Sequence, residues 1–250
     1  MRYFIELSYN GRSFHGWQIQ PDAISVQESI ENALSTLLRT PTSIVGAGRT
    51  DAGVHAKFMT AHFNNDTDIN CEQLCYKLNS FLPESIGIYK IYPVQPEAHA
   101  RFDATTRAYE YWISTHKNPF TNEAAHYLKV PVNIELMNEA AKKLQEYTNF
   151  KCFSKSKTDV KTYDCKIFYA FWEQTDDLLV FKISANRFLR NMVRAIVGTL
   201  LDIGTGKKKL EDIDKIIKSG NRSEAGSSVP AKGLYLTNVT YPQSIHLNHE

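Results

Sequence analysis

The sequence predicts an α+β fold, on three observations. Segments with strand-like alternation outnumber segments with helical spacing. The helical segments are too few to serve as crossovers for an all-parallel sheet. The order strands, helix, strands also runs through both parts of the chain. The expectation is a mixed, mainly antiparallel central sheet with helices on one side, built from two similar halves, residues 1–105 and 106–250. No residue-level repeat accompanies that coarse likeness.

Arg2–Tyr9 alternates as a half-buried strand does, and Asn10-Gly11 breaks it. Phe14-His15-Gly16-Trp17-Gln18-Ile19-Gln20-Pro21 follows. It is either a loop of stacking and hydrogen-bonding groups or a surface loop packed round a buried Trp. Ser25 reads as an N-cap with Glu28 three residues on. The helix it starts runs to about Leu38 and presents Ile30, Ala33, Leu34 and Leu37 inward. Ser43–Ala47 and Lys57–Phe63 read as strands on either side of a glycine-rich loop. Asn70–Phe81 is helical and stops before Pro83, and Ile86–Val94 is a strand.

The second half opens on a strand, Arg107–Thr115, with Tyr109 and Tyr111 alternating against Glu110 and Trp112. Asn133 caps a helix to about Tyr147, with Leu136, Ala140, Ala141 and Leu144 inward. Strands Lys166–Glu173 and Leu178–Ser184 flank a turn at Asp176-Asp177. Asn186 is expected to cap a helix from Arg187 to about Leu201. A short helix, Leu210–Lys218, and a last strand, Gly233–Thr240, complete the chain.

Of the 250 residues, 42% are hydrophobic, enough for a sizeable core. The net charge of +2 is unevenly placed. Residues 151–218 hold 14 Lys/Arg against 9 Asp/Glu, an excess of +5, which leaves −3 on the rest. Segregated positive charge points to a polyanion. No apolar run approaches a membrane span and no signal peptide precedes the first strand. Cys71, Cys75, Cys152 and Cys165 have the spacing of neither a disulfide framework nor a zinc site. Reduced thiols in a cytoplasmic protein are expected.

The chemistry centres on Gly46-Ala47-Gly48-Arg49-Thr50-Asp51-Ala52-Gly53-Val54-His55-Ala56. If that loop is extended, Arg49 and Asp51 point to one side and can share a pocket. A guanidinium beside a carboxylate holds it ionised. Asp51 is then a nucleophile or base, or else a turn aspartate paired with an arginine. Arg187, Arg190 and Arg194, spaced by three and four, would share one helix face. That face is either solvated, or binds phosphate or carboxylate bidentately, or turns one arginine inward to a buried Asp. Lys155, Lys157, Lys161 and Lys207–Lys209 cluster in loops. With Tyr109, Tyr111 and Trp112 they fit looped RNA, which is held by basic grooves and aromatic platforms, though alternating Tyr equally makes a sheet core. Walker, Rossmann, HExxH and GxSxG patterns are absent, so the chemistry would run on side chains alone. One placed carboxylate does not make a glycosidase pair.

Taken together, these segments resemble the bacterial tRNA pseudouridine synthase A family. GAGRTDAGVHA at 46–56 and FHGWQIQP at 14–21 carry the likeness in the first half. HARFDATTRAYEYWI at 99–113, NRFLRNMVRAIVGTLLDIG at 186–204 and PAKGLYLTNVTYP at 230–242 carry it in the second. They fall in family order from about Tyr3 to Pro242. The resemblance implies an active-site cleft between two similar halves. It also implies a homodimer converting uridine to pseudouridine at positions 38–40 of the tRNA anticodon arm, with no cofactor and no metal. Asp51 matches the attacking aspartate, Tyr109 the tyrosine stacked on the target base, and Arg194 the arginine paired with the aspartate. Arg49 matches the arginine that helps displace the target nucleotide from its stack. Arg187 and Arg190 stay candidates for phosphate contacts or plain surface. The sequence departs from the family pattern at Lys57-Phe58-Met59 and at Asn149–Phe153, which bears on RNA contacts and leaves the aspartate untouched. Two other readings compete: an RNA-binding module of this fold without catalysis, and a carboxylate-dependent sugar hydrolase.

Overall fold

The computed structural model describes residues 1–155, 160–175 and 178–247. Lys157 and the Asp176-Asp177 turn therefore lie outside the described residues. The first elements in chain order are β1 (Arg2–Tyr9), α1 (Val26–Leu38), β2 (Val45–Gly46), β3 (His55–Asn64), α2 (Cys71–Phe81) and β4 (Ile86–Val94). Next come β5 (Thr106–Ser114), β6 (His126–Tyr127), α3 (Ile134–Lys143), β7 (Ile167–Gln174) and β8 (Leu179–Ala185). The chain ends with α4 (Met192–Gly204), α5 (Asp212–Ser219) and β9 (Leu234–Thr240). Two compact units form, one of Met1–Thr106 with Tyr235–Glu250 and one of Arg107–Leu234. The fold is α+β with mixed, mostly antiparallel sheet, as expected.

In the first unit β1 runs antiparallel to both β3 and β4. Tyr3, Phe4, Ile5 and Leu7 of β1 are fully buried, the pattern of a strand with neighbours on both sides and cover on both faces. β3 also takes β2 antiparallel and β9 parallel, the latter at His55↔Tyr235 and Ala56↔Leu236. Both helix starts have a side-chain cap, at Ser25 as predicted and at Asn70 as well. The Glu28 N–H donates to Ser25 Oγ at 3.2 Å, and the Gln73 N–H to Asn70 Oδ1 at 2.9 Å. The strand expected over Ser43–Ala47 shrinks to Val45–Gly46. Its lead-in is tied to α1 instead: the Ile44 N–H donates to the Glu31 carboxylate at 2.9 Å, and the Thr42 N–H to Ser35 Oγ at 2.9 Å.

In the second unit β8 lies antiparallel between β5 and β7, and the short β6 runs parallel to β5. Asn138 on α3 grips β7, its side chain accepting from the Trp172 N–H at 2.7 Å and donating to the Trp172 carbonyl at 3.1 Å. Met137 rather than Leu136 is the buried residue of that turn.

The helix expected from Arg187 starts at Met192. Asn186 does not cap it. Its side-chain oxygen accepts from the Lys166 N–H at 2.7 Å and its carbonyl from Arg107 Nη1 at 2.9 Å, which finishes the β7–β8 hairpin. The chain then turns through Asn191, which is left-handed at φ 67°. Arg187 and Arg190 precede α4, so the shared helical face with Arg194 does not exist. α4 is buried nearly all round, which makes it a core helix with Arg194 in its first turn. Among the described residues no helix is long and apolar enough to cross a membrane.

Candidate active site

Asp51 and Arg49 sit in the loop between β2 and β3, in the first unit. The loop is built from backbone pairings and a few exact side-chain contacts. The Ala47 N–H donates to the Thr60 carbonyl at 2.8 Å, and the Val54 N–H closes a turn on the Asp51 carbonyl at 3.1 Å. Tyr9 Oη lies 2.9 Å from Thr50 Oγ1. Between them the carboxylate is half-buried, while Arg49 is exposed.

The aromatic loop seen in the sequence is what braces this turn. The Trp17 N–H donates to the Thr50 carbonyl at 3.3 Å and the Gly53 N–H to the Phe14 carbonyl at 3.3 Å. Trp17 is buried with its indole against Gly46. Gly16 has φ +95°, and a Cβ there would collide with the Thr50 carbonyl oxygen. A glycine is required on both counts. Of the two readings of residues 14–21, the packed loop around a buried Trp holds, and what it packs against is the Asp51 turn.

His55 is a supporting residue that sequence reasoning did not single out. It is buried, and its Nδ1 accepts from the Gly11 N–H at 3.1 Å, so the ring proton belongs on Nε2. Its ring stacks on Tyr235 with centroids 4.7 Å apart at 15°. The partners lie 44 and 180 residues away in sequence, and no local pattern announces such contacts. A histidine directly after Gly53-Val54, at the start of a strand, was the one available signal.

Tyr109 and Arg194 both belong to the second unit. Tyr109 lies on β5 opposite Ile183, half-buried, with its ring edge-on to Phe188 at 5.1 Å and 89°. Arg194 is half-buried in the first turn of α4. Its Nε–H donates to the Val229 carbonyl at 2.7 Å, and its own carbonyl accepts from the Val229 N–H at 3.3 Å. The aromatic platform on β5 is smaller than the alternation suggested. Tyr111 is fully buried and donates its hydroxyl to the Pro230 carbonyl at 2.8 Å. Burial pushes that phenol upward, partly offset by the positive charge of Arg194. Trp112 donates its Nε1–H to Glu110 Oε2 at 2.9 Å.

Among the described residues no group of three or more His, Cys, Asp or Glu side chains is placed to hold a metal ion. The four cysteines are free thiols, and burial pushes Cys152 up to about 12 and Cys165 up to about 11. Thiols held protonated in this way are poor nucleophiles. A half-buried carboxylate such as that of Asp51, on a turn fixed from several sides, can attack an electron-poor carbon or accept a proton.

The sequence profile of a family described as tRNA pseudouridine synthase matches residues 140–242. A protein described as tRNA pseudouridine synthase A from Parabacteroides distasonis is 54% identical over 245 residues, covering 98% of this chain and 97% of its own length. One from Bacteroides fragilis is 52% identical over 246 residues, covering 98% of each. A more distant one, from Bacillus licheniformis, is 39% identical over 245 residues, covering 96% of this chain and 99% of its own length.

Proposed function

The chain belongs to the tRNA pseudouridine synthase A family, and on that premise we propose that it converts uridine to pseudouridine at positions 38–40 of the tRNA anticodon arm, through Asp51 and without metal or cofactor. Isomerase chemistry on tRNA follows from the family. The observation that carries the finer reading is the Asp51 turn: a half-buried carboxylate on a loop braced by β3, Tyr9, Phe14 and Trp17.

The reaction breaks the C1′–N1 glycosidic bond, turns the uracil within the site, and joins C5 to C1′. Every atom of the substrate is kept and no electrons leave it, so side chains suffice. Asp51 supplies negative charge to C1′ as the bond to N1 breaks, either by bonding to the sugar or by taking a proton from it. Arg194 is the proposed partner of the carboxylate, and Tyr109 holds the loosened base by stacking. Arg49, exposed on the same turn as Asp51, helps bring the target nucleotide out of its stack, which costs a few kcal/mol. The working form is a cytoplasmic homodimer, a point that light scattering on the purified protein checks.

The test is an incubation of the protein with unmodified tRNA transcript in the presence of a chelator, followed by mapping of pseudouridine. The expected result is pseudouridine confined to positions 38–40. Transcripts that gain none in the anticodon arm would overturn the reading. Release of free uracil would favour the sugar-hydrolase alternative, and tight binding without product the RNA-binding module.

A further inference from the structure

Just ahead of the PAKGLYL segment, residues 222–229 hold more specific contacts than a connecting loop needs. We propose that Arg222 is a positioning residue for Arg194, acting through the backbone of residues 225–229; this rests on the reading of Arg194 as the partner of the catalytic carboxylate.

The half-buried guanidinium of Arg222 reaches forward along its own chain. Nη1 donates to the Gly226 carbonyl at 3.0 Å and, more loosely, to the Ala225 carbonyl at 3.5 Å. Nη2 donates to Ser228 Oγ at 2.9 Å. That same oxygen accepts from Asn191 Nδ2 at 2.6 Å, and Asn191 is the left-handed residue from which α4 starts. The next residue, Val229, carries both hydrogen bonds to Arg194. Arg222 is thus two contacts away from the side chain it would orient.

The segment is packed too closely on α4 to move toward the helix if a contact is lost. The Gly226 N–H donates to Thr199 Oγ1 at 2.8 Å, and the backbone lies so close to α4 that a Cβ at Gly198 would collide with the Ser227 carbonyl oxygen. At its far end Tyr111 Oη holds the Pro230 carbonyl at 2.8 Å. The helix limits inward movement, and Arg222 holds the carbonyls of residues 225 and 226. Because Arg194 spends its Nε–H on Val229, the direction of its terminal nitrogens follows the position of that carbonyl. Loss of Arg222 leaves two carbonyls and a hydroxyl short of a donor and frees the segment to shift. A displacement of about an ångström in a catalytic group costs on the order of a hundredfold in rate.

The decisive measurement is a double-mutant cycle on single-turnover pseudouridine formation by the full chain, with tRNA Kd measured alongside. Arg222→Ala is expected to lower the rate by roughly 10- to 100-fold, leave tRNA Kd within about threefold, and recover partly in Arg222→Lys, which keeps a donor. In an Arg194→Lys background the same Arg222→Ala change should alter the rate by less than about twofold, because the lysine lacks the Nε–H that ties the side chain to Val229. A purely structural role would give losses that multiply. Multiplying losses, or an Arg222→Ala rate within about twofold of the parent, overturn the proposal. If Arg222→Ala does not fold, Ser228→Ala enters the same cycle with the same expectations. A parent protein that forms no pseudouridine overturns the reading of Arg194 itself, and the inference with it. An active parent with an additive cycle overturns the inference alone.

Discussion

Asp51 was legible from the residues around it, because three glycines with an Arg and an Asp between them form an uncommon string. What holds it was not. Tyr9, Gly11 and Gly16 reach the turn from 34 or more residues away, and sequence spacing carries no trace of a hydrogen bond such as Tyr9 to Thr50. Two expectations belong to this scale. Asp51→Asn keeps the size and removes the charge, so turnover should vanish while tRNA Kd stays within a few fold. An Asn variant with near-normal turnover in the transcript assay would remove Asp51 as the reacting group. Gly16→Ala meets both a φ of +95° and the Thr50 carbonyl. The strain should cost about 1–3 kcal/mol in urea unfolding and lower turnover, since relief has to come from the Asp51 turn. Unchanged stability would mean that the turn yields freely.

At the scale of elements, helices with a side-chain cap were easy to read, whereas the start of α4, which has none, was not. Ser25 and Asn133 sit at their predicted N-caps and each accepts a backbone N–H, and Asn70 does the same at the start of α2. α4 misled because its start has no side-chain cap; a left-handed Asn191 turns the chain into it, and the asparagine that looked like a cap ends a hairpin. Spacing alone therefore promised a face of three arginines that the fold does not make. β3 carries a pH-sensitive contact that periodicity could not show. His62 is buried there and its Nδ1 accepts from the Ala100 N–H at 3.1 Å, with the His99 ring edge-on at 4.6 Å. Burial, followed by the positive charges of His99 and Arg2, lowers His62 from 6.5 to about 4, with Asp103 opposing. The unfolded chain thus binds a proton that the folded chain refuses. Its contribution to stability is complete above about pH 6.5 and is lost as the pH falls towards 4. Urea midpoints should drop across that window, and less so in His62→Asn. Parallel pH profiles for the two proteins would exclude His62 as the cause.

For the molecule as a whole, the excess of positive charge over residues 151–218 belongs to the second unit. If tRNA rests on that charge, log K should fall linearly and steeply with log salt, because neutralised phosphates release counterions. A flat response in filter binding between 50 and 200 mM salt, the range over which such contacts cost several orders of magnitude, would place the RNA elsewhere. The α+β class was visible in the sequence, since alternation and helix count are local properties. The parallel pairing of β9 with β3 was not visible, because its partners, His55 and Tyr235, are nearly the whole chain apart. That pairing has a consequence for how the protein is made. Chains emerge from the ribosome N-terminus first, and domains ordinarily fold in that order. Here the unit carrying Asp51 cannot be finished until residues 107–234 have been made, because the strand and ring that cover His55 come from Tyr235 onward. A nascent chain has made Asp51, Tyr109 and Arg194 well before β3 can gain its last neighbour, and a message cut short before codon 235 yields a protein whose β3 lacks its pairing with β9 at His55 and Ala56.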